Sequence, residues 1–314
     1  MKTIVFLDAL TMGDMPKLES LNELGTLILY PETSAEERLK RCKDADIVIT
    51  NKVIIDAALM NELPKLKLIC VAATGTNNID LNKAEELHIA VKNVKGYSTN
   101  SVAQLTFGFI IELFNRVSYY DQYVKSGAYS NQKLFTHIGP GLEELAGKTI
   151  GIIGMGEIGK NVASIAIAFQ MQVIYYSSSG KNKDAEYKNV SLDELLSSSD
   201  IISIHAPLTE HTRKLIQYEQ LLKMKPTAML INAGRGGIVN EDDLVKALSA
   251  NIIAAAALDV FEKEPLSKAS PLLLLKEEGR LILTPHIAWA SKQARLRLLE
   301  GIKGNIKVFI NEGY

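Results

Sequence analysis

Short apolar runs rich in Val and Ile recur along this chain of 314 residues, separated by stretches whose apolar positions fall three or four apart. In the first hundred residues the runs at 4–7, 47–50, 68–71 and 90–93 predict buried strands. Helical spacing marks 36–41, 54–59 and 81–87, and Asn78-Ile79-Asp80 supplies a turn and a cap ahead of the last. Strands alternating with helices make a parallel sheet covered on both faces. Residues 98–111, STNSVAQLTFGFII, predict a long helix too apolar on most sides to face water, suited to a domain bridge or a subunit interface. From 119 to 147 the periodicity fades and several glycines enter, so much of that stretch reads as a long surface excursion.

A second series follows. Strands are expected at 149–153, 172–176, 201–204, 228–232, 253–258 and 281–283, and helices at 158–169, 192–197, 218–224 and 241–250. Six strands with helices between them fit a doubly wound nucleotide-binding domain. Residues 291–310 are helical in pattern and are expected to return to the first domain, which makes that domain discontinuous.

Composition narrows the class. Apolar residues make up 47% and charged residues 23%, ordinary for a folded protein. Lys and Arg number 35 against 36 Asp and Glu, so no basic excess points to nucleic acid. Cys42 and Cys70 are too few for a disulfide framework, lie beside strand-like sequence, and read as buried thiols in a reducing compartment. The N-terminus reaches Asp8 too soon for a signal-peptide core, and no run approaches the roughly 20 apolar residues of a membrane span. A cytoplasmic protein with no membrane or nucleic-acid partner is expected.

The strongest motif is Gly154-x-Gly156-x-x-Gly159, between an apolar strand and an apolar helix. The first glycine makes the tight turn, the second lets backbone approach a pyrophosphate, and the third lets helix and strand pack closely. The next strand should end on an acid that holds the ribose of NAD, yet it ends Tyr176-Ser177-Ser178-Ser179-Gly180, with no carboxylate until Asp184. A serine does not repel a 2′-phosphate, and Lys181 and Lys183 are near, but no arginine offers a fork-like grip. The pattern favours NAD and leaves NADP open.

Hydride chemistry on a hydroxyl or carbonyl needs a proton donor, and an acidic substrate needs a cation. His286, in Leu283-Thr284-Pro285-His286-Ile287-Ala288-Trp289, lies just past the last strand; His205 follows another strand and is its rival. Arg235, among glycines in Asn232-Ala233-Gly234-Arg235-Gly236-Gly237, suits a bidentate grip on a carboxylate. Asp259, Glu262 and Glu264 follow yet another strand end, and one of them can orient His286. Each alone is an ordinary loop residue; their coincidence at the same ends of neighbouring strands is what points to a site. No HxxxH or HExxH pair supports a metal, and no GxxxxGK[ST] supports a P-loop.

Taken together, 73–80 (ATGTNNID), 96–103 (GYSTNSVA), the glycine loop, 231–237, 258–265 and 284–291 resemble the D-isomer-specific 2-hydroxyacid dehydrogenase family over nearly the whole chain. The resemblance implies an α/β protein of two Rossmann-like domains, a doubly wound dinucleotide-binding domain inserted into a smaller flavodoxin-like substrate domain. The expected spans are 1–97 for the first part of the substrate domain, 98–287 for the NAD(P)-binding domain and 288–314 for the returning helix. Hinges that close over the ligand and a homodimer formed mainly through the cofactor domains are also implied.

Carried over by resemblance, His286 is the general acid/base, Glu264 its partner and Arg235 the residue that binds the substrate carboxylate and keto oxygen. Ala73, Thr74 and Gly75 form the loop at that carboxylate, with Thr74 near the cofactor too, and Trp289 walls the pocket. Besides Gly154, Gly156 and Gly159, the cofactor is expected at Glu157 and Ile158 through their amides, at Ser177, Ala206 and Thr212 on the adenosine side, and at Ala233, Arg235, Asp259 and His286 on the nicotinamide side. Glu262 and His205 lose their candidacy. Within the family the sequence is most similar to glycerate dehydrogenases (hydroxypyruvate reductases), through His286-Ile287-Ala288-Trp289-Ala290 and 176–180. Reduction of hydroxypyruvate to D-glycerate, and of glyoxylate to glycolate, is therefore expected. Another small 2-keto acid, or a non-catalytic NAD-sensing role, is the alternative.

Overall fold

The computed structural model describes residues 1–14, 17–180, 184, 186–275 and 279–312. Contacts divide the chain into two units, Met1–Ser98 with Ala290–Tyr314, and Thr99–Trp289.

The first unit is a five-stranded parallel sheet. Its strands are β1 (Thr3–Phe6), β2 (Thr26–Leu29), β3 (Ile47–Thr50), β4 (Leu68–Val71) and β5 (Ala90–Asn93), in the order β2-β1-β3-β4-β5. That is the flavodoxin-like order, with α1 (Arg38–Cys42), α2 (Ala57–Asn61) and α3 (Leu81–Glu86) on the connections that follow β2, β3 and β4. β3 and β4 are buried at every position, which is why they read as unbroken apolar runs. β2 was not anticipated: it is an edge strand, largely exposed, with no buried face to pattern it. Asp56 and Asp80 cap α2 and α3 by accepting the Leu59 and Lys83 amides at 2.9 and 3.0 Å.

The C-terminal helix belongs to this unit. Ser291 caps it at the Ala294 amide, and Leu298, Leu299, Ile302, Ile306 and Phe309 are buried at helical spacing. Arg297 Nε donates to the Tyr97 carbonyl and Asn305 Nδ2 to the Asn93 carbonyl, fastening the helix along β4 and β5.

In the second unit, α4 (Thr99–Asn115) and α5 (Val117–Lys125) precede β6 (Thr149–Ile153) and α6 (Glu157–Ala168). There follow β7 (Gln172–Tyr176), β8 (Lys188–Asn189), α7 (Leu192–Ser198), β9 (Ile201–Ile204), α8 (Tyr218–Leu221), β10 (Met229–Asn232), α9 (Glu241–Ser249), β11 (Ala255–Leu258), α10 (Pro271–Leu274) and β12 (Leu281–Leu283). The sheet is wholly parallel in the order β12-β11-β10-β9-β6-β7-β8, seven strands rather than six because the short β8 adds an edge.

Alternate strand residues feed two cores. Ile150, Ile152, Ile201 and Ile231 pack under α4 and α6, while Ile153, Ile202, Ile204 and Leu230 pack under α7, α8 and α9. The long apolar helix at 98–111 is thus explained within the unit, where Phe107, Ile110 and Phe114 lie in the core beside α6. The stretch 119–147 begins with helix rather than excursion. α5 buries none of its residues, so it left no apolar stripe to read.

Candidate active site

The cofactor end is built where β6 stops. Gly154 has φ +96°, and a Cβ there would stand 2.8 Å from the Ala206 amide nitrogen. A Cβ on Gly159 would stand 2.3 Å from the Gly154 carbonyl oxygen, while one on Gly156 would meet nothing within 4 Å. The three glycines therefore divide into turn, open approach and tight packing. No side chain caps α6 at Gly156, so the amides of its first turn, Glu157 and Ile158 foremost, lack the usual capping oxygen. Uncapped amides at the positive end of a helix are a ready anion site.

Ser177 follows β7, and its hydroxyl is buried with no hydrogen-bond partner among the described residues. Such a group costs stability unless something else bonds it, and a ribose hydroxyl is of the right kind. The first following carboxylate, Asp184, is engaged by Lys160 Nζ at 2.8 Å. Lys181 and Lys183 lie outside the described residues.

Past β9, Ala206 is 2% exposed, and Thr212 Oγ1 donates to the Pro207 carbonyl at 2.6 Å while accepting the Thr209 amide at 2.7 Å. Thr212 thus braces the 206–212 turn. His205 lies beside the glycine loop with Nε2 2.8 Å from Ser203 Oγ and Nδ1 without a partner among the described residues. Burial alone pushes its pKa down to about 4, so at neutral pH it is uncharged and ill suited to be a proton donor.

The other half of the site sits on β10, β11 and β12, neighbours in one sheet. Ala233 and Arg235 follow β10. Asn232, 2% exposed, accepts the Gly234 amide and donates to the Arg235 carbonyl, a side-chain turn that sets where Arg235 leaves the strand. Gly236 packs so closely on the β11 loop that a Cβ would lie 1.7 Å from the Phe261 carbonyl oxygen. The Phe261 amide in turn donates to Glu264 Oε1 at 3.1 Å.

The other oxygen of that carboxylate, Oε2, is 2.7 Å from His286 Nδ1, with both side chains about a quarter exposed. This bond leaves Nε2 as the nitrogen for a ligand. Of the three carboxylates past β11, Glu264 is the one that meets His286; the Glu262 amide instead donates to Glu241.

Asp259 is wholly buried, and its carboxylate is engaged by the loop that carries His286. Oδ1 accepts from Thr284 Oγ1 at 2.5 Å and the Ile287 amide at 2.9 Å, and Oδ2 accepts the Ala288 amide at 2.8 Å. Burial pushes its pKa up, against those three bonds that pull it down. The bonds fix the loop in which His286 has φ +55°, a left-handed backbone uncommon in residues other than glycine. Trp289, half-buried, ends this loop. Neither this clamp nor the Asn232 turn was anticipated, although an asparagine closing a strand before a glycine turn is a recognisable signal.

In the first unit, Ala73, Thr74 and Gly75 follow β4. Thr74 Oγ1 donates to the Val94 carbonyl at 3.2 Å and its own carbonyl accepts Asn93 Nδ2 at 2.5 Å, while the amides of residues 73–77 donate to nothing among the described residues. A run of free amides on a braced loop is an anion cradle. No group of three potential metal ligands occurs among the described residues.

A family model described as "D-isomer specific 2-hydroxyacid dehydrogenase, NAD binding domain" matches residues 107–288. A hydroxypyruvate reductase of Blautia hydrogenotrophica is 39% identical over 315 residues, covering 98% of this chain and 96% of that protein. The structure of D-lactate dehydrogenase from Aquifex aeolicus with NAD and lactic acid superposes with TM-score 0.85 at 28% identity, over 99% and 96% of the two chains. An NADPH-dependent glyoxylate/hydroxypyruvate reductase from Sinorhizobium meliloti, in complex with NADP and malonate, gives TM-score 0.83 at 25% identity over 99% and 94%. Motif, strand order and these likenesses agree, and the chain belongs to the D-isomer-specific 2-hydroxyacid dehydrogenases, oxidoreductases with an NAD-binding domain.

Proposed function

We propose that this chain reduces hydroxypyruvate to D-glycerate, and glyoxylate to glycolate, with NAD(H) preferred. The observation that carries the reading is the 2.7 Å contact of His286 with Glu264 on the loops beside Arg235. The glycine loop, the uncapped start of α6 and the unpartnered Ser177 hydroxyl fit a dinucleotide. Bound there, a reduced nicotinamide supplies hydride to the keto carbon.

The chain's residues do the rest. Arg235, fixed by Asn232, holds the substrate carboxylate in a two-point grip and stabilises charge on the keto oxygen. The free amides of 73–77, with Ala73, Thr74 and Gly75 among them, are likewise suited to a carboxylate. Protonated His286 gives its Nε2 proton to the keto oxygen, and Glu264 keeps the ring in place through Nδ1. Ala233, Ala206 and Thr212 line the cofactor in this reading. Asp259 serves it by holding the His286 loop. Residues 1–97 with the returning helix act as the substrate domain and 98–287 as the cofactor domain. A cytoplasmic homodimer completes the proposal, the two buried free thiols suiting a reducing compartment.

The test is an absorbance assay at the reduced-nicotinamide band, crossing NADH and NADPH with hydroxypyruvate, glyoxylate, pyruvate and 3-phosphohydroxypyruvate. Hydroxypyruvate with NADH is expected to give the highest kcat/KM. Turnover of none of the four would overturn the reading.

A further inference from the structure

One carboxylate near the His286–Glu264 pair has no task in this mechanism. Glu241 opens α9, half-buried, and its Oε1 accepts the Glu262 amide at 2.6 Å. Burial pushes its pKa up, and the neighbouring carboxylates of Glu262, Asp242 and Glu264 push the same way, against the pull of that bond. An acid is a costly choice at such a place unless its oxygen has a use.

That oxygen holds the turn from which Glu264 projects. Consecutive amides of the turn donate to two carboxylates, Phe261 to Glu264 Oε1 at 3.1 Å and Glu262 to Glu241 Oε1. The peptide between them also lies against Gly236, where a Cβ would stand 2.8 Å from the Glu262 nitrogen. The start of α9 is anchored independently of this turn. The Asn240 amide donates to the Ile216 carbonyl at 2.9 Å, and Asn240 Oδ1 accepts the Asp243 amide at 3.2 Å. Asp243 Oδ2 in turn accepts the Tyr218 amide at 3.1 Å. Glu241 therefore ties the Glu264 turn to a fixed helix start, at the far end of the connection that carries Arg235.

We infer that Glu241 is a positioning residue: by holding the Glu262 amide it sets the direction from which the Glu264 carboxylate meets His286 Nδ1. The inference rests on the function proposed above. It predicts that loss of Glu241 slows turnover, spares cofactor binding, and acts through Glu264 alone.

The experiment uses NADH with whichever of the four 2-keto acids the wild type turns over fastest. Glu241→Ala removes the acceptor and should lower kcat about tenfold, with NADH affinity by fluorescence titration within about twofold of wild type. Glu241→Gln keeps an oxygen for the Glu262 amide and should recover kcat to within about threefold of wild type. Asp242→Ala removes an exposed acid from the same first turn, with the same effect on the helix dipole, and should leave kcat unchanged. In a Glu264→Ala background the Glu241→Ala change should cost less than about twofold, because the group it positions is gone. Three results overturn the assignment while the dehydrogenase reading stands: wild-type kcat in Glu241→Ala, a glutamine variant as slow as the alanine one, or the full loss persisting without Glu264. A wild type inactive on all four acids overturns both.

Discussion

Asp259 fixes the backbone that bears His286 without bonding to its imidazole: its two oxygens take the amides of Ile287 and Ala288 and the hydroxyl of Thr284. Replacing Asp259 by asparagine turns one oxygen into a donor facing a donor and removes charge assistance from these bonds. We expect kcat to fall about 100-fold or more and the melting temperature to fall by several degrees. NADH binding followed by fluorescence should survive in the folded fraction. A variant with wild-type kcat would show that the clamp is dispensable.

His286→Ala removes the proton donor and leaves the glycine loop untouched. Turnover should drop by roughly 10²–10⁴-fold while NADH affinity stays within a few-fold. Glu264→Gln keeps the shape but not the charge opposite Nδ1, and a drop of about 10–100-fold is expected. Steady-state kinetics beside nucleotide titration separates the two effects, and retention of wild-type rates in His286→Ala would remove the general acid from the scheme.

Arg235→Lys keeps the charge and loses the fork. The lysine cannot grip a carboxylate at two points, so kcat/KM should fall at least about 100-fold, with little change in melting temperature because the arginine side chain bonds, among the described residues, to the carbonyl of Gly234 in its own turn. Comparison with Arg235→Gln tests how much of the loss is charge and how much geometry. Equal activity of lysine and arginine enzymes would show that bidentate recognition is absent.

His205 makes stability depend on acid. Its pKa is about 4 in the folded protein against an ordinary 6.5. Between those values the unfolded chain binds more protons than the folded one, so stability falls as pH drops through the window and is fully present above it. The loss at the bottom is on the order of 2–3 kcal/mol. Urea midpoints measured from pH 7 to pH 4.5 should fall more steeply for the wild type than for His205→Asn. Parallel curves would contradict the assignment of a neutral buried imidazole.

Much of this fold was legible because the sheets are parallel and buried on both faces, so strands such as Leu68–Val71 and Ile201–Ile204 stand out as apolar runs. What escaped is what burial does not mark. β2 and β8 lie at sheet edges with exposed residues, α10 is a single turn, and α5 buries nothing. At the site, Arg235, Glu264 and His286 could be picked out as side chains with chemistry beyond strand ends. The sequence spacing could not show that Asp259 turns toward the 284–288 loop, since that pairing spans about 25 residues and depends on β11 lying beside β12.

The close approach of Gly236 to Phe261 has a consequence beyond its local fit. Phe261 touches the arginine loop through its carbonyl and Glu264 through its amide, and Glu264 touches His286. The groups assigned to charge recognition and to proton transfer are thus links in series, like parts on one shaft, with no slack member to absorb an error at either end. A methyl group at position 236 would be felt at an imidazole two strands away. Drift in any one of these loops must therefore be matched by the others.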